Sequence, residues 1–153
     1  MKIQNPSPRN ERDSLGELSL PGDKYFGIGT ARLMGAVAVS GPDFPMELLH
    51  NILLVRRAQA IAFGRNNTWN NSVASAIIKA TERLVEDAPL FARNVVIRPQ
   101  HGGGARGIIM NIDEVLANVA LEEMGRSKGE YHIMAPLLQL DRGSCYLETY
   151  FTA

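Results

Sequence analysis

Residues 101–125 place a cluster of glycines directly before an apolar-periodic helix, in the sequence HGGGARGIIMNIDEVLANVALEEMG. Asn111 is predicted to cap this helix and Gly125 to end it. A loop of small residues leading into a helix leaves backbone N–H groups at the positive end of the helix dipole, which favours an anion. The loop is therefore a candidate site for a carboxylate or a phosphate. The alternative is a flexible connector that needs glycine only for its backbone freedom.

The candidate binding residues of this loop are Gly103, Gly104, Arg106, Gly107 and Asn111. Arg106 contributes a permanent positive charge. The loop also contains the dinucleotide pattern G-x-G-x-x-G, but the surrounding elements are predicted helices. That pattern requires alternating strands and helices, so it is a weak signal here.

Other chemical patterns give no catalytic or metal site. His50, His101 and His132 lie far apart without metal-ligand spacing, so neither a metal nor a cofactor is expected. A ligand role for His101, which borders the glycine loop, stays open beside a structural one. Ser144-Cys145 has no base beside it in the sequence, and no catalytic residue is predicted.

The charge balance and the short apolar runs exclude several classes of protein. Sixteen basic and sixteen acidic residues cancel, so neither nucleic acid nor an anionic membrane is an expected partner. No apolar run approaches the ~20 residues that span a bilayer. The polar start of the chain does not resemble a secretory signal, and a single cysteine excludes an internal disulfide. A cytoplasmic protein is expected.

Hydrophobic periodicity predicts a mostly α fold with a minor β component. Arg56 and Arg57 are assigned to the solvated face of the first long helix, with a ligand clamp as the alternative. Residues 31–40 fit either a helix or a strand. The other predicted elements are helices over 45–63, 72–86 and 111–124, a strand over 95–97 and an extended segment over 131–134. Residues 15–20 are predicted as a short strand, with a segment lying on the surface as the alternative.

Several motifs resemble the aspartase/fumarase superfamily, and its aspartate ammonia-lyase branch in particular. Residues 9–17 read RNERDSLGE and residues 25–32 read YFGIGTAR, and both are similar to the opening of these lyases. Residues 101–118 read HGGGARGIIMNIDEVLAN, which is similar to the family signature QGGAGTSxNMNxNEVLAN. The order and spacing of the motifs extend the resemblance over nearly all of residues 9–136.

The resemblance implies the N-terminal domain of these lyases without their central helical bundle. Residues 1–135 would form that domain, and residues 136–153 would be a divergent tail where the bundle begins in the family. Family members add or remove ammonia or water across the double bond of fumarate, and each active site combines three chains of a tetramer. Their base is a serine on a loop with the pattern GSSxMPxKxNP, which does not occur in this chain. The implied ligand is a dicarboxylate.

Several substrate-binding positions of the family carry other residues here. The loop threonine of the family falls on Arg106 and the following serine on Gly107. Two asparagines of the signature fall on Ile109 and Asp113. The family pattern NPNDHVNxxQSTND aligns with residues 135–148, which retain little of it. Because the loss of one such donor commonly costs about 10²–10³ in rate, the resemblance predicts an isolated chain without lyase activity.

The sequence leaves three functional hypotheses open. The first is a truncated, non-catalytic aspartase-like protein that acts as an anion-binding or interaction module, through a protein partner or self-association at exposed apolar surface. The second is a fragment of an aspartate ammonia-lyase, which converts L-aspartate to fumarate and ammonia, that needs the missing domains or other chains. The third is a different enzyme that uses the glycine loop and Arg106 for another anion.

Overall fold

The computed structural model describes residues 7–101 and 105–134, and it is mostly α with a small β component, as predicted. Gly103 and Gly104 lie outside these residues, and so do the predicted tail 136–153 and the pair Ser144-Cys145. The helices and strands in chain order are β1 (Arg9–Asp13), β2 (Gly16–Leu20), α1 (Ile28–Ala36), α2 (Met46–Arg65), α3 (Asn71–Glu86), α4 (Ala88–Ala92) and α5 (Ala105–Glu123).

The strands β1 and β2 form an antiparallel hairpin. Asp13 pairs with Gly16 at its turn, and Gly16 has a φ of +113°, a conformation that glycine adopts without steric cost. The Asp13 Oδ1 accepts a hydrogen bond of 2.8 Å from the Leu15 N–H, which fixes the turn. The strand predicted over 15–20 is thus confirmed as β2. Its partner β1 lies in residues 1–13, where the sequence predicts an extended arm but no strand.

The helices α2 and α3 confirm two predicted helices within two residues at each end. Asn70, rather than Ser72, caps α3, because its Oδ1 accepts the Ser72 N–H at 2.9 Å. Residues 31–40 contain the end of α1 and no strand. The short helix α4 was not predicted, and Asp87 caps it by accepting the Leu90 N–H at 2.9 Å.

Helix α5 is the centre of the fold. It begins at Ala105, so the prediction that Asn111 caps it is wrong. Residues 111–121 are all buried, because α5 packs against α1, α2 and α3 at once. Buried polar groups need hydrogen-bond partners inside the protein. The polar residues in this buried part of α5 are Asn111, Asp113, Glu114 and Asn118.

Two segments predicted as extended are irregular or turn-like. Residues 95–97 are not part of a strand, so that prediction is wrong. Residues 131–133 form turns, in which the Tyr131 N–H donates to the Gly129 carbonyl at 2.8 Å. None of the helices within 7–101 and 105–134 combines the length and the hydrophobicity that a membrane span requires.

Candidate functional site

The candidate anion site lies at the start of α5. Arg106 is exposed in the first turn of this helix, and the neighbouring Gly107 is buried. The first turn contains no acidic residue. Because the first N–H groups give a helix N-terminus a partial positive charge, an anion is favoured there and a guanidinium strengthens the attraction. The structure thus places Arg106 and Gly107 at this end, whereas Gly103 and Gly104 precede the described part of the helix.

Asn111 is buried about one and a half helical turns beyond Arg106. Its Oδ1 accepts hydrogen bonds from the Val96 and Ile97 N–H groups at 2.8 and 3.2 Å. Its Nδ2 donates to the Asn94 carbonyl at 2.9 Å. The side-chain amide of Asn111 thus forms the hydrogen bonds that a neighbouring strand would otherwise form with this backbone. Residues 95–97 therefore form no sheet.

Asp113 forms a buried ion pair with Arg56 of α2. The Arg56 Nε and Nη2 donate to the two carboxylate oxygens of Asp113, each at 2.8 Å. The side chains are only 2% and 0% exposed, so the assignment of Arg56 to a solvated helix face is wrong. The neighbouring Arg57 is half-exposed and pairs with Glu82 at 2.8 Å, as a surface residue does.

The carboxylate of Glu114 caps helix α1. Its Oε2 accepts the Gly27 and Thr30 N–H groups at 2.7 and 3.1 Å, and its Oε1 accepts the Gly29 N–H at 2.9 Å. A Cβ added to Gly27 or Gly29 would lie 2.8 Å from an atom of Glu114, so both positions require glycine. Burial raises the pKa of Glu114, and the hydrogen bonds to its carboxylate oppose that rise.

Glu11 of β1 completes the capping of α1. Its Oε2 accepts the Ile28 N–H at 2.8 Å, and its Oε1 accepts hydrogen bonds from the Arg9 Nε at 2.8 Å and the Tyr131 hydroxyl at 3.2 Å. Asn118 of α5 donates to the same hydroxyl at 2.8 Å. Burial raises the pKa of Tyr131 far above its usual value. One polar network thus joins β1, α1, α5 and the turn that follows α5.

A second ion pair ties the hairpin to α1. Arg32 donates from Nε and Nη2 to the two carboxylate oxygens of Asp13, at 2.6 and 2.7 Å. This guanidinium holds the pKa of Asp13 below its usual value. Three charged residues of the RNERD motif, Arg9, Glu11 and Asp13, therefore serve the fold, because each contacts the backbone or side chains around α1. The fourth, Arg12, is exposed and lies 3.9 Å from Glu17 on β2.

Tyr25 joins α5 to the chain between β2 and α1. Its hydroxyl donates to Glu122 Oε2 at 2.7 Å, and the Lys128 Nζ lies 4.0 Å from the ring centroid. Burial, together with the hydrogen bond to Glu122, raises the pKa of Tyr25 to about 12. The cluster of Tyr25, Glu122 and Lys128 near the surface is structural, because these side chains interact with one another.

The histidines do not converge on one site. His50 stacks on Phe91 with the ring centroids 6.2 Å apart. The Nδ1 of His101 accepts the Arg98 N–H at 2.9 Å, which closes the turn before α5. In the described ranges, no group of three His, Cys, Asp or Glu residues is arranged to hold a metal ion.

The roles of Glu114 and Asn118 were not predicted from the sequence. A helix that began at Asn111 would place Asp113 and Glu114 in its first turn, whereas both lie in the middle of a buried helix. The sequence did contain a signal for these roles. Single polar residues recur in an otherwise apolar helix, as in residues 113–118, DEVLAN. Such residues are tolerated in a core only when each has a buried partner.

Several aspartate ammonia-lyases are similar to the chain in sequence. The enzyme of a Bacillus species is 33% identical over 132 residues, which cover 86% of this chain and 28% of the relative. The enzyme of Escherichia coli K12 is 36% identical over 131 residues, which cover 84% of this chain and 27% of the relative. The chain thus spans less than a third of the length of the curated relatives it matches. No family model matches it.

Solved structures show the same relationship. A fumarate lyase:delta crystallin from Brucella melitensis superimposes with a TM-score of 0.80 at 31% identity, covering 88% of this chain and 29% of that one. A class II fumarase from Schistosoma mansoni shares the fold with a TM-score of 0.72 at 22% identity, over 80% of this chain. The motifs, the fold built on them and these similarities place the chain in the aspartase/fumarase superfamily, as an aspartate ammonia-lyase-like N-terminal domain.

Proposed function

We propose that the chain binds a small dicarboxylate or a related anion at the start of α5 and has no lyase activity on its own. The observation that carries this proposal is the position of Arg106 in a first helical turn that contains no acidic residue. A cation at that end is disfavoured by the helix dipole. An anion bound there gains from both the helix dipole and the guanidinium, which suits Arg106 to a ligand.

The relatives support a carboxylate as the anion. Their names describe lyases of aspartate and of fumarate, and both compounds carry two carboxylates. In the proposed site Arg106 contacts one carboxylate and Gly107 lies beside it in the first turn of α5. Gly103 and Gly104 belong to the proposal on the sequence alone. Asn111 contributes by holding residues 94–97 against α5.

The proposed lack of activity rests on the replaced residues. Arg106, Gly107 and Ile109 stand where the resembled signature has threonine, serine and asparagine. Each change removes a neutral hydrogen-bond donor of the kind that stabilises a developing oxyanion, and each such loss costs about 10²–10³ in rate. The carboxylates of Asp113 and Glu114 are engaged with Arg56 and with the α1 backbone, so neither is positioned as a base.

A second candidate function is a part of an active aspartate ammonia-lyase that other segments or chains complete. The observation favouring it is the sequence similarity to such enzymes across 86% of this chain. Under this alternative Arg106 would still meet a substrate carboxylate, but turnover would appear once the other parts were supplied.

The proposal also includes a cytoplasmic location and contact with a protein partner or with a second copy of the chain. The support for contact is exposed apolar surface, such as Leu54 on α2, which is 52% exposed. Large exposed apolar side chains are a common feature of interaction surfaces when they lie together.

Fumarate is expected to raise the thermal unfolding midpoint of the full chain, because a ligand at 100 times its Kd stabilises the native state by about 2.7 kcal/mol. Arg106→Gln should weaken fumarate binding about tenfold or more, since a hydrogen bond to a charged group contributes about 1.5–3 kcal/mol. Differential scanning fluorimetry across a fumarate titration measures both effects.

The matched control is Arg126→Gln, which removes an exposed arginine just beyond the other end of α5. It should bind fumarate like the unaltered chain. Equal midpoint shifts in the Arg106 and Arg126 variants, or no shift in the unaltered chain, would contradict the proposed site.

A further inference from the structure

Helix α2 has an exposed face along its whole length. Its opposite face packs against α3 and α5 and contains the buried Leu49, Leu53 and Ala60. The exposed residues recur every three or four positions, so they form one stripe over the 20-residue helix. The outer face of α2 consists of Glu47, Asn51, Leu54, Ala58, Ala62 and Arg65.

The middle of this outer face is poor in charge. Between Glu47 and Arg65 it contains no charged residue, although the solvated face of a helix is usually rich in charged and polar side chains. Leu54 is 52% exposed, and the small Ala58 lies one turn away from it. A large side chain beside a small one provides a ridge and a groove, the surface shape by which two helices pack.

The two charged residues lie at opposite ends of the outer face. Glu47 is in the first turn of α2 and Arg65 in the last, about 27 Å apart along the helix axis. Neither side chain forms an ion pair with another of the residues that the structure describes. A face that begins with an anion and ends with a cation is complementary to a second copy of itself in the antiparallel orientation.

One two-fold axis matches both the charges and the shapes. Residue 56 is the midpoint between Glu47 and Arg65, and it is also the midpoint between Leu54 and Ala58. A two-fold axis at this level places each Glu47 opposite Arg65 of the second copy, and each Leu54 opposite Ala58. The chain has no formal net charge, so two copies do not repel each other at long range.

We infer that two copies of this chain associate through the outer faces of α2, packed antiparallel about a two-fold axis. The inference deepens the contact that the proposed function includes, and it rests on that part of the proposal. It requires no bound anion. Arg106 lies on α5, outside the outer face of α2, so the association and the anion site can be tested separately.

The test is sedimentation velocity of the full 153-residue chain over a range of concentrations. The sedimentation coefficient should rise with concentration from the value of one chain to that of a pair. Leu54→Lys should weaken association about tenfold or more, because it replaces apolar contact surface with a charge. Leu15→Lys is the matched control, since Leu15 lies in the turn of the hairpin and is 76% exposed. It should associate like the unaltered chain.

Charge reversal tests the antiparallel orientation. Glu47→Arg would place cations opposite one another at both ends of the contact, and Arg65→Glu would place anions there. Each single variant should associate about tenfold more weakly. The double variant Glu47→Arg/Arg65→Glu restores opposite charges, and an equimolar mixture of the two single variants does so between unlike chains. Both should associate like the unaltered chain.

Circular dichroism checks that each variant is folded. The double variant is also the control for helix stability, because it carries both charges that oppose the helix dipole of α2. A loss of association caused by a weakened helix would therefore be largest in the double variant. The inference predicts the reverse.

Three results would overturn the inference. The first is a single chain at every concentration, which would leave the outer face of α2 to a different protein. The second is equal association by the folded Leu54→Lys and Leu15→Lys variants. The third is no recovery in the double variant or in the mixture. Fumarate should raise the unfolding midpoint of Leu54→Lys as it does for the unaltered chain, so a failure of the association leaves the anion site standing.

Discussion

Arg56→Met is expected to lower the free energy of unfolding by about 3–5 kcal/mol, the usual cost of leaving one member of a buried ion pair without its partner. Asp113 is 0% exposed and receives two hydrogen bonds of 2.8 Å from Arg56. Removal of the guanidinium would leave a charge in the centre of the fold, between α2 and α5. Urea unfolding followed by circular dichroism measures the change.

The adjacent residue supplies a matched control. Arg57→Met removes an arginine that pairs with Glu82 at the surface, and it should change the free energy of unfolding by less than about 1 kcal/mol. The double variant Arg56→Met/Asp113→Leu removes both buried charges and should recover much of the lost stability. Similar losses in the Arg56 and Arg57 variants would contradict a buried pair.

Glu114→Ala is expected to lower the free energy of unfolding by about 3 kcal/mol or more, because an unsatisfied buried donor costs about 1–3 kcal/mol and three are created. The donors are the N–H groups of Gly27, Gly29 and Thr30. The substitution should also loosen α1 locally, because the N-terminus of this helix would lose its cap. Faster amide hydrogen exchange at these three residues is the specific signature.

Glu123→Ala is the control for this variant, because Glu123 lies on the same helix and pairs with Arg83 at the surface at 3.2 Å. It should leave the exchange of the α1 amides unchanged. Slow exchange of the Gly27, Gly29 and Thr30 amides in a folded Glu114→Ala protein would mean that another group caps α1.

The long helices could be predicted from the sequence because their apolar residues recur every three or four positions, a local property. The start of α5 could not. Asn111 follows a glycine-rich stretch, as a capping residue does, but its amide bonds with the backbone of residues 94–97. These hydrogen bonds form only because tertiary packing brings residues 94–97 against α5, and no local sequence pattern encodes that packing.

The burial of Arg56 was hidden for the same reason. Arg56 and Arg57 are identical neighbours in the sequence, yet one pairs with Asp113, 57 residues away, and the other with a surface glutamate. A hydrophobic pattern distinguishes the faces of a helix, but it does not show which charged residue of another helix packs against a given arginine. The motif resemblance located the family, while the contacts showed that many motif residues hold the fold together.

The central claim is that the chain keeps the lyase scaffold while Arg106 and its neighbours bind an anion without turning it over. The most direct measurement follows the ultraviolet absorbance of fumarate during incubation of the pure, folded full chain with L-aspartate. The predicted result is a rate equal to that of the protein-free blank, in a preparation whose unfolding midpoint still rises with fumarate. Fumarate production that increases in proportion to protein concentration would contradict the claim.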